Sequence, residues 1–252
     1  AVIAAGGAFG TPELLLRSGL RNREIGRNLR FHPAAWIGAR FSEPVRGWQG
    51  VMQSYYVDEW QDQGLMLEAT FTPLAFGAHW LPGVADAYQR RLAAYEHLGS
   101  NGVHLSDTSS GRIRLARDGT SRISYRLTRA DARRLAFGIA RAAEIWFAAG
   151  AEEVYPQIAG RPALRRGGLT AFESTVPRPH ELRLEAFHPM GTARIAAASS
   201  PGVCDPNGAV RGVEGLYVAD ASLLPTSLGV NPMMTIIASS AAISRRMRDR
   251  IV

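Results

Sequence analysis

The last quarter of the 252-residue chain restricts its fold more than any other stretch. His188-Pro189-Met190-Gly191-Thr192-Ala193-Arg194 is followed by a turn-rich segment and then by Gly215-Leu216-Tyr217-Val218-Ala219-Asp220-Ala221-Ser222. Leu216 to Val218 predicts a short buried strand that delivers Asp220 and Ser222 at its carboxyl end. In α/β folds ligands bind outside the carboxyl ends of strands, so a polar side chain leaving one is a site candidate. Asn231-Pro232-Met233-Met234-Thr235 then opens a long apolar run. Asn is a strong N-cap, and Pro suits the first helical position because it has no amide hydrogen to leave unpaired. A mostly buried helix is expected over 235–247, turning basic at Arg245, Arg246 and Arg248, where cations suit a helix C-terminus. Amides near Met233 and Met234 could receive a carbonyl or an anion. Taken alone, Asn231 reads equally as a simple cap, His188 as a turn residue and Asp220 as the cap of the next turn.

The chain opens with an apolar strand, residues 1–5, entering Gly6-Gly7-Ala8-Phe9-Gly10-Thr11-Pro12. Thr11 is expected to cap a helix with Pro12 at its first position. The glycine turn over 6–10 allows close approach of a ligand to the backbone, and 26–33 reads as a loop marked by Gly26, Asn28 and Pro33. Residues 35–41, 52–57 and 65–71 read as adjacent strands of an antiparallel or mixed sheet. A helix is expected over 84–98. Residues 111–127 read as a hairpin around Asp118-Gly119. Thr128 is expected to cap the clearest helix, with Leu135, Ile139, Ala142, Ala143, Trp146 and Phe147 on one face and Gly150 as its stop. Residues 151–174 read as a short strand followed by a Pro/Gly-rich surface loop.

Composition narrows the function classes. At this length one substantial core, or two small ones, can be buried, and 46% hydrophobic content fits an α/β or α+β protein. The net charge of +7 comes from scattered arginines without a basic block interleaved with aromatics, which argues against nucleic-acid binding. One cysteine, Cys204, excludes an intrachain disulfide. No apolar run is long enough to span a membrane. His79, His97 and His104 lack metal-ligand spacing, so no metal site is expected.

The stretch from His188 to Thr235 resembles the C-terminal signature of the glucose–methanol–choline (GMC) oxidoreductases. Residues 7–20 resemble a second GMC signature, with Arg21 where that signature continues with glycine, and 26–33 resembles a third stretch that lies against the cofactor. The resemblance implies the C-terminal portion of a two-domain, mixed α/β (α+β) fold. Residues 1–33 and 188–252 would belong to the FAD-binding domain, flanking a substrate-binding domain over 34–187 built on an antiparallel or mixed sheet with helices. It implies FAD as cofactor, contacted by Gly6, Gly10, Thr11, Asn28, Ala219, Asp220, Pro232, Met233 and Met234, and a catalytic pair of His188 and Asn231. His32 reads as a structural histidine. The Asn231-Pro232 form resembles the long-chain (fatty) alcohol oxidase branch.

The implied reaction is oxidation of an apolar alcohol to an aldehyde or ketone. A neutral histidine can take the hydroxyl proton near neutral pH, and an asparagine can hydrogen-bond the developing alkoxide without titrating. A strand–Gly-x-Gly-x-x-Gly–helix unit and its ribose-binding acid are absent from these 252 residues. An N-terminal segment or a second chain is expected to supply that unit, and the chain alone is expected to be incomplete and inactive. Two other readings stay open: a flavin-retaining lyase-like relative, and a non-catalytic structural or interaction subunit. A cytoplasmic location or one peripheral to a membrane is expected.

Overall fold

The computed structural model describes residues 1–251. In chain order it contains β1 (Val2–Ala4), α1 (Gly7–Arg17), β2 (Arg27–Leu29), β3 (Ala34–Arg40), β4 (Tyr56–Val57), β5 (Leu65–Ala69), α2 (Leu74–Gly77), α3 (Ala85–Ala93), β6 (Leu98–Leu105), β7 (Ser110–Leu115), β8 (Ser121–Arg126), α4 (Arg129–Ala148), β9 (Glu153–Tyr155), α5 (Leu169–Glu173), β10 (Leu216–Val218) and α6 (Met233–Ile251). This is the mixed α/β architecture expected from the sequence. The chain divides into two compact units. One comprises Ala1–His32, Ser106–Arg126 and Ala186–Val252; the other comprises Pro33–Leu105 and Leu127–Glu185. The hairpin over 106–126 thus belongs to the first unit, although it lies inside the span expected to form the substrate domain.

The second unit is built on a five-stranded sheet of order β4-β5-β6-β3-β9, with every neighbouring pair antiparallel. Its central strand, β6, is buried along its whole length. Sequence patterning suggests no strand there, because Gly99, Ser100, Asn101 and Gly102 are poor strand formers. Packing overrides that preference. A side chain at Gly99 would begin 2.9 Å from the Trp146 ring, and one at Gly138 of α4 would begin 2.6 Å from Val103. The glycines therefore let α4 lie close against the sheet. Asn101 Oδ1 accepts from Trp146 Nε1 at 2.6 Å, so the buried amide oxygen is satisfied by the same helix. Thr128 caps α4, its hydroxyl accepting from the Asp131 amide at 3.1 Å, and Leu135, Ile139, Ala142, Ala143 and Phe147 form its buried face.

Boundaries in this unit differ from expectation, and the strand expected over 65–71 ends at Ala69. Of residues 52–57 only Tyr56 and Val57 pair as a strand, and Val51, Met52 and Tyr55 are exposed. The helix expected over 84–98 ends at Ala93, because Leu98 already belongs to β6. A second apolar cluster, Trp36, Phe71, Trp80, Leu81, Tyr95, Leu98 and Tyr155, gathers on the sheet.

In the first unit β1 pairs in parallel with β10, Val2 opposite Leu216 and Ala4 opposite Val218. Around them Leu15, Ile25, Ala193, Val203, Cys204, Val210, Leu223 and Ile243 close a core. A three-stranded sheet of order β2-β7-β8 completes the unit. α1 starts one turn earlier than expected, at Gly7 with Gly6 as N-cap, and Thr11 and Pro12 lie inside it. α6 starts at Met233, and the Pro232 carbonyl accepts its first bond from the Ile236 amide at 2.9 Å. Pro232 therefore occupies the cap position expected of Asn231. The mostly buried helix expected over 235–247 is not seen: Thr235, Ile237, Ala238, Ala241 and Ser244 are exposed, and Ile243 is its buried anchor.

A methyl group at Gly38 would begin 2.4 Å from the Trp80 ring and 3.1 Å from that of Tyr155. Gly38→Ala is expected to lower unfolding stability by about 1–3 kcal/mol, read as a reduced urea midpoint with an unchanged slope. Burial, with the carboxylates of Asp205 and Asp220 adding to it, pushes the Cys204 thiol up to about 12. Folding therefore favours the protonated thiol, and this contribution to stability is present below the ordinary thiol range and fades as pH rises toward 12. Native protein at mildly alkaline pH should leave Cys204 unalkylated by iodoacetamide until denaturant is added.

Candidate active site

The candidate site is assembled in the first unit from three crossing segments. Residues 190–195 run between the segment 26–30, where strand β2 stands in place of the loop expected over 26–33, and the turn after β10. Met190 and Arg30 exchange backbone hydrogen bonds at 2.9 Å, and the Gly26 amide donates to the Thr192 carbonyl at 2.8 Å. On the other side the Ala193 and Ile195 amides donate to the Ser222 and Leu223 carbonyls at 2.8 and 2.9 Å. Gly191 holds a φ of +89° with its α-carbon against the Asn28 carbonyl, a conformation and an approach that only glycine accommodates.

His188 lies just before this clamped segment and is half-buried. Its Nδ1 sits 2.9 Å from Nδ1 of His32, a fully buried residue. One ring must present a proton at Nδ1 and the other a lone pair, so the two tautomers are coupled. His32 is fixed in turn. It holds a φ of +48°, and its amide donates to Asp107 Oδ1 at 3.1 Å. The other oxygen of Asp107 accepts from the Tyr125 hydroxyl at 2.8 Å. Arg30 reaches the Ser109 carbonyl at 2.7 Å and pins the start of the same hairpin. Asn231 is exposed, just before α6 in the same unit.

Asp220 leaves β10 as the sequence suggests and is almost fully buried. Oδ1 accepts from the Ser222 amide at 2.7 Å and caps the turn Ala221–Leu223. Oδ2 accepts from the Gly7 amide at 2.9 Å and from the Thr11 hydroxyl. Thr11 Oγ1 also accepts from the Gly6 amide at 2.9 Å. Most of the acceptor capacity of the carboxylate is thus used inside the chain. Pro12, placed inside α1, cannot donate to the Ala8 carbonyl, and the Thr192 hydroxyl donates to that carbonyl at 2.7 Å instead.

The sequence-selected cofactor residues fall into two groups. Thr11, Asn28 and Asp220 have side chains committed to hydrogen bonds within the chain; Asn28 Nδ2 donates to the Pro225 carbonyl at 2.8 Å. Ala219 donates through its amide to the Ala4 carbonyl at 3.1 Å, and Pro232 is buried. Gly6 has the Thr11 amide 2.8 Å from where a side chain would begin, so its role is to let α1 close on itself. Gly10 has nothing within 4 Å there, and Met233 and Met234 are exposed at the first turn of α6. The first amides of a helix lack intrahelical acceptors and carry a partial positive charge. Open glycine backbone and an exposed helix N-terminus fit the approach of an anionic dinucleotide. Patterning passes over the roles of His32, Asp107, Tyr125 and Thr192. Only Pro12 gives a prior signal, by leaving a helical carbonyl in need of a donor.

Two family descriptions, both reading GMC oxidoreductase, match this chain over residues 107–240 and 1–34. It is 36% identical to an uncharacterized GMC-type oxidoreductase of Mycobacterium tuberculosis over 100% of the chain and 40% of that protein. It is 32% identical to a long-chain-alcohol oxidase of Arabidopsis thaliana over 98% of the chain and 35% of that protein. The chain belongs to the GMC oxidoreductase family. It spans well under half the length of these curated relatives. Among solved structures, a formate oxidase of Aspergillus oryzae superposes with a TM-score of 0.72 at 17% identity, covering 99% of this chain and 54% of that one. A pyridoxine 4-oxidase from Mesorbium loti gives 0.69 at 17% identity, covering 97% of this chain and 50% of that one. These two likenesses concern the fold.

Asp220→Asn tests the junction. Whichever way its amide turns, an NH2 group faces an N–H donor, at half-buried Gly7 or at buried Ser222. An unpaired buried donor costs about 1–3 kcal/mol, so the variant is expected to unfold at lower urea, with faster hydrogen exchange at Gly7.

Proposed function

We propose that the complete protein carrying this chain is an FAD-dependent oxidoreductase that oxidises an apolar alcohol to an aldehyde or ketone. The observation that carries the reading is the half-buried His188 held through Nδ1 by a buried histidine. Membership of the GMC family and the resemblance to proteins named long-chain-alcohol oxidase support it. The long-chain alcohol branch is the finer assignment we favour.

In this reading Nδ1 of His188 is engaged by His32, so Nε2 is the atom that takes the hydroxyl proton of the substrate. Removing that proton makes the carbinol carbon a better hydride donor. Asn231 holds the substrate oxygen by a hydrogen bond and does not titrate. FAD, when bound, supplies the two-electron acceptor. Gly10, Met233 and Met234 would hold it through backbone, while Gly6, Thr11, Asn28, Ala219, Asp220 and Pro232 would keep that backbone in place. The α6 N-terminus would favour negative charge beside it. A segment outside these 252 residues, in the same polypeptide or a second one, supplies the glycine-rich dinucleotide unit. The solvent-facing Val2 and Ile3 of β1 are where such a unit would add strands. Among the described residues no helix is long and apolar enough to cross a membrane.

His188→Ala in the complete protein is expected to slow substrate-driven flavin reduction by about 10²-fold or more, measured by anaerobic stopped-flow absorbance. Reduction at the wild-type rate would remove His188 as the base.

A further inference from the structure

The sheet β2-β7-β8 carries its charge on one face. Cross-strand partners share a face, and along a strand so do alternate residues. Arg27 lies opposite Arg112, Arg114 opposite Arg122, and Arg126 opposite Ser110. Five arginines therefore stand side by side with Ser110 and Ser124 as the small residues between them. The register shift in β2 between Arg27 and Leu29 turns Arg27 to this face, while Leu29 is fully buried. Ile113 and Gly111 point the other way, and Ile113 is buried. No carboxylate forms an ion pair with any of the five among the described residues. Glu24, the acid whose field reaches Arg112, is paired with Arg194 at 2.9 Å.

Like charges placed directly opposite one another destabilise a sheet. Burial first, then the charges of Arg27 and Arg114, hold the Arg112 guanidinium below its ordinary value. Arginines that merely guard a sheet edge against aggregation would sit on the outer strand. That explains Arg122 and Arg126 on β8. It does not explain Arg112 and Arg114 on the central strand, where the buried Nε of Arg112 has no hydrogen-bond partner. At one end of the face Arg114, Arg117 and Arg122 line an open hollow of about 580 Å³, with Asp118 of the hairpin turn as its one acid.

We propose that this face is a docking surface for an anionic phospholipid bilayer. An array of guanidiniums with a single carboxylate, Asp118, at its margin matches a plane of phosphate headgroups, and clusters of four to eight basic residues are a usual electrostatic footprint of such binding. Arginine also pairs with phosphate through two parallel hydrogen bonds. Single-stranded nucleic acid is the weaker fit, since no aromatic side chain stands among the five to stack a base. The surface lies away from His188 in sequence and shares none of the residues assigned to the chemistry.

The test uses the complete protein and sedimented vesicles of phosphatidylcholine with and without phosphatidylserine. Binding is expected only with phosphatidylserine and should be lost at high salt. R114A/R122A, at two exposed positions, should weaken it by about 30-fold. R114E, which places a carboxylate opposite Arg122, should weaken it while leaving the thermal midpoint unchanged or raised. Equal binding to both vesicle types, or binding unaffected by either variant, overturns the proposal. So does arginine-dependent binding of inorganic pyrophosphate or of a short RNA without binding to vesicles, which would give the face a different occupant.

Discussion

One proline organises the first unit. Pro12 sits inside α1, where it removes a helical donor and leaves the Ala8 carbonyl buried and unpaired within the helix. An unmet buried carbonyl costs about as much as a lost hydrogen bond, so something must reach it. Thr192 does, from a segment far along the chain. That bond fixes where residues 190–195 lie, and hence where His188 begins. The neighbouring Thr11 completes the junction: its hydroxyl ties the helix start to Asp220. A local defect in one helix thus becomes the register mark for two distant strands of sequence.

What could be read from the sequence was what local chemistry decides. The Leu216–Val218 strand, the Thr128 cap, the hairpin around Asp118-Gly119 and the α/β class each rest on neighbours within a few residues, and each is seen. What escaped reading was decided by distant partners. Strand β6 looks unlike a strand because its glycines answer to Trp146 and its asparagine to the same ring. Thr11 reads as an N-cap because Thr before Pro commonly is one; here its hydroxyl is taken by the Gly6 amide and Asp220 from within the helix. The stretch over 235–247 reads as a buried helix because its first half is apolar, yet Ile237, Ala238 and Ala241 are exposed.

The candidate site shows the same division. The identity of His188 as a residue of interest was legible from its motif. Its contact with His32 was not, since the two are separated by most of the chain, and spacing cannot reveal a φ of +48° that turns a loop histidine inward. Asp220 was legible as a polar residue leaving a strand. That it spends its oxygens on Gly7, Thr11 and Ser222 depends on a strand pairing between β1 and β10 that places the two ends of the chain together.

The two imidazoles have a consequence for proton bookkeeping in the interior. Joined through Nδ1, they cannot both offer a hydrogen there, nor both withhold one, without breaking their contact. When His188 carries a proton on each nitrogen, His32 must be the acceptor, with its own hydrogen on the far side of its ring. The charge state of the ring nearer solvent is thereby written into the tautomer of one that solvent never meets, and a ¹⁵N spectrum of His32 would report on chemistry occurring at its neighbour.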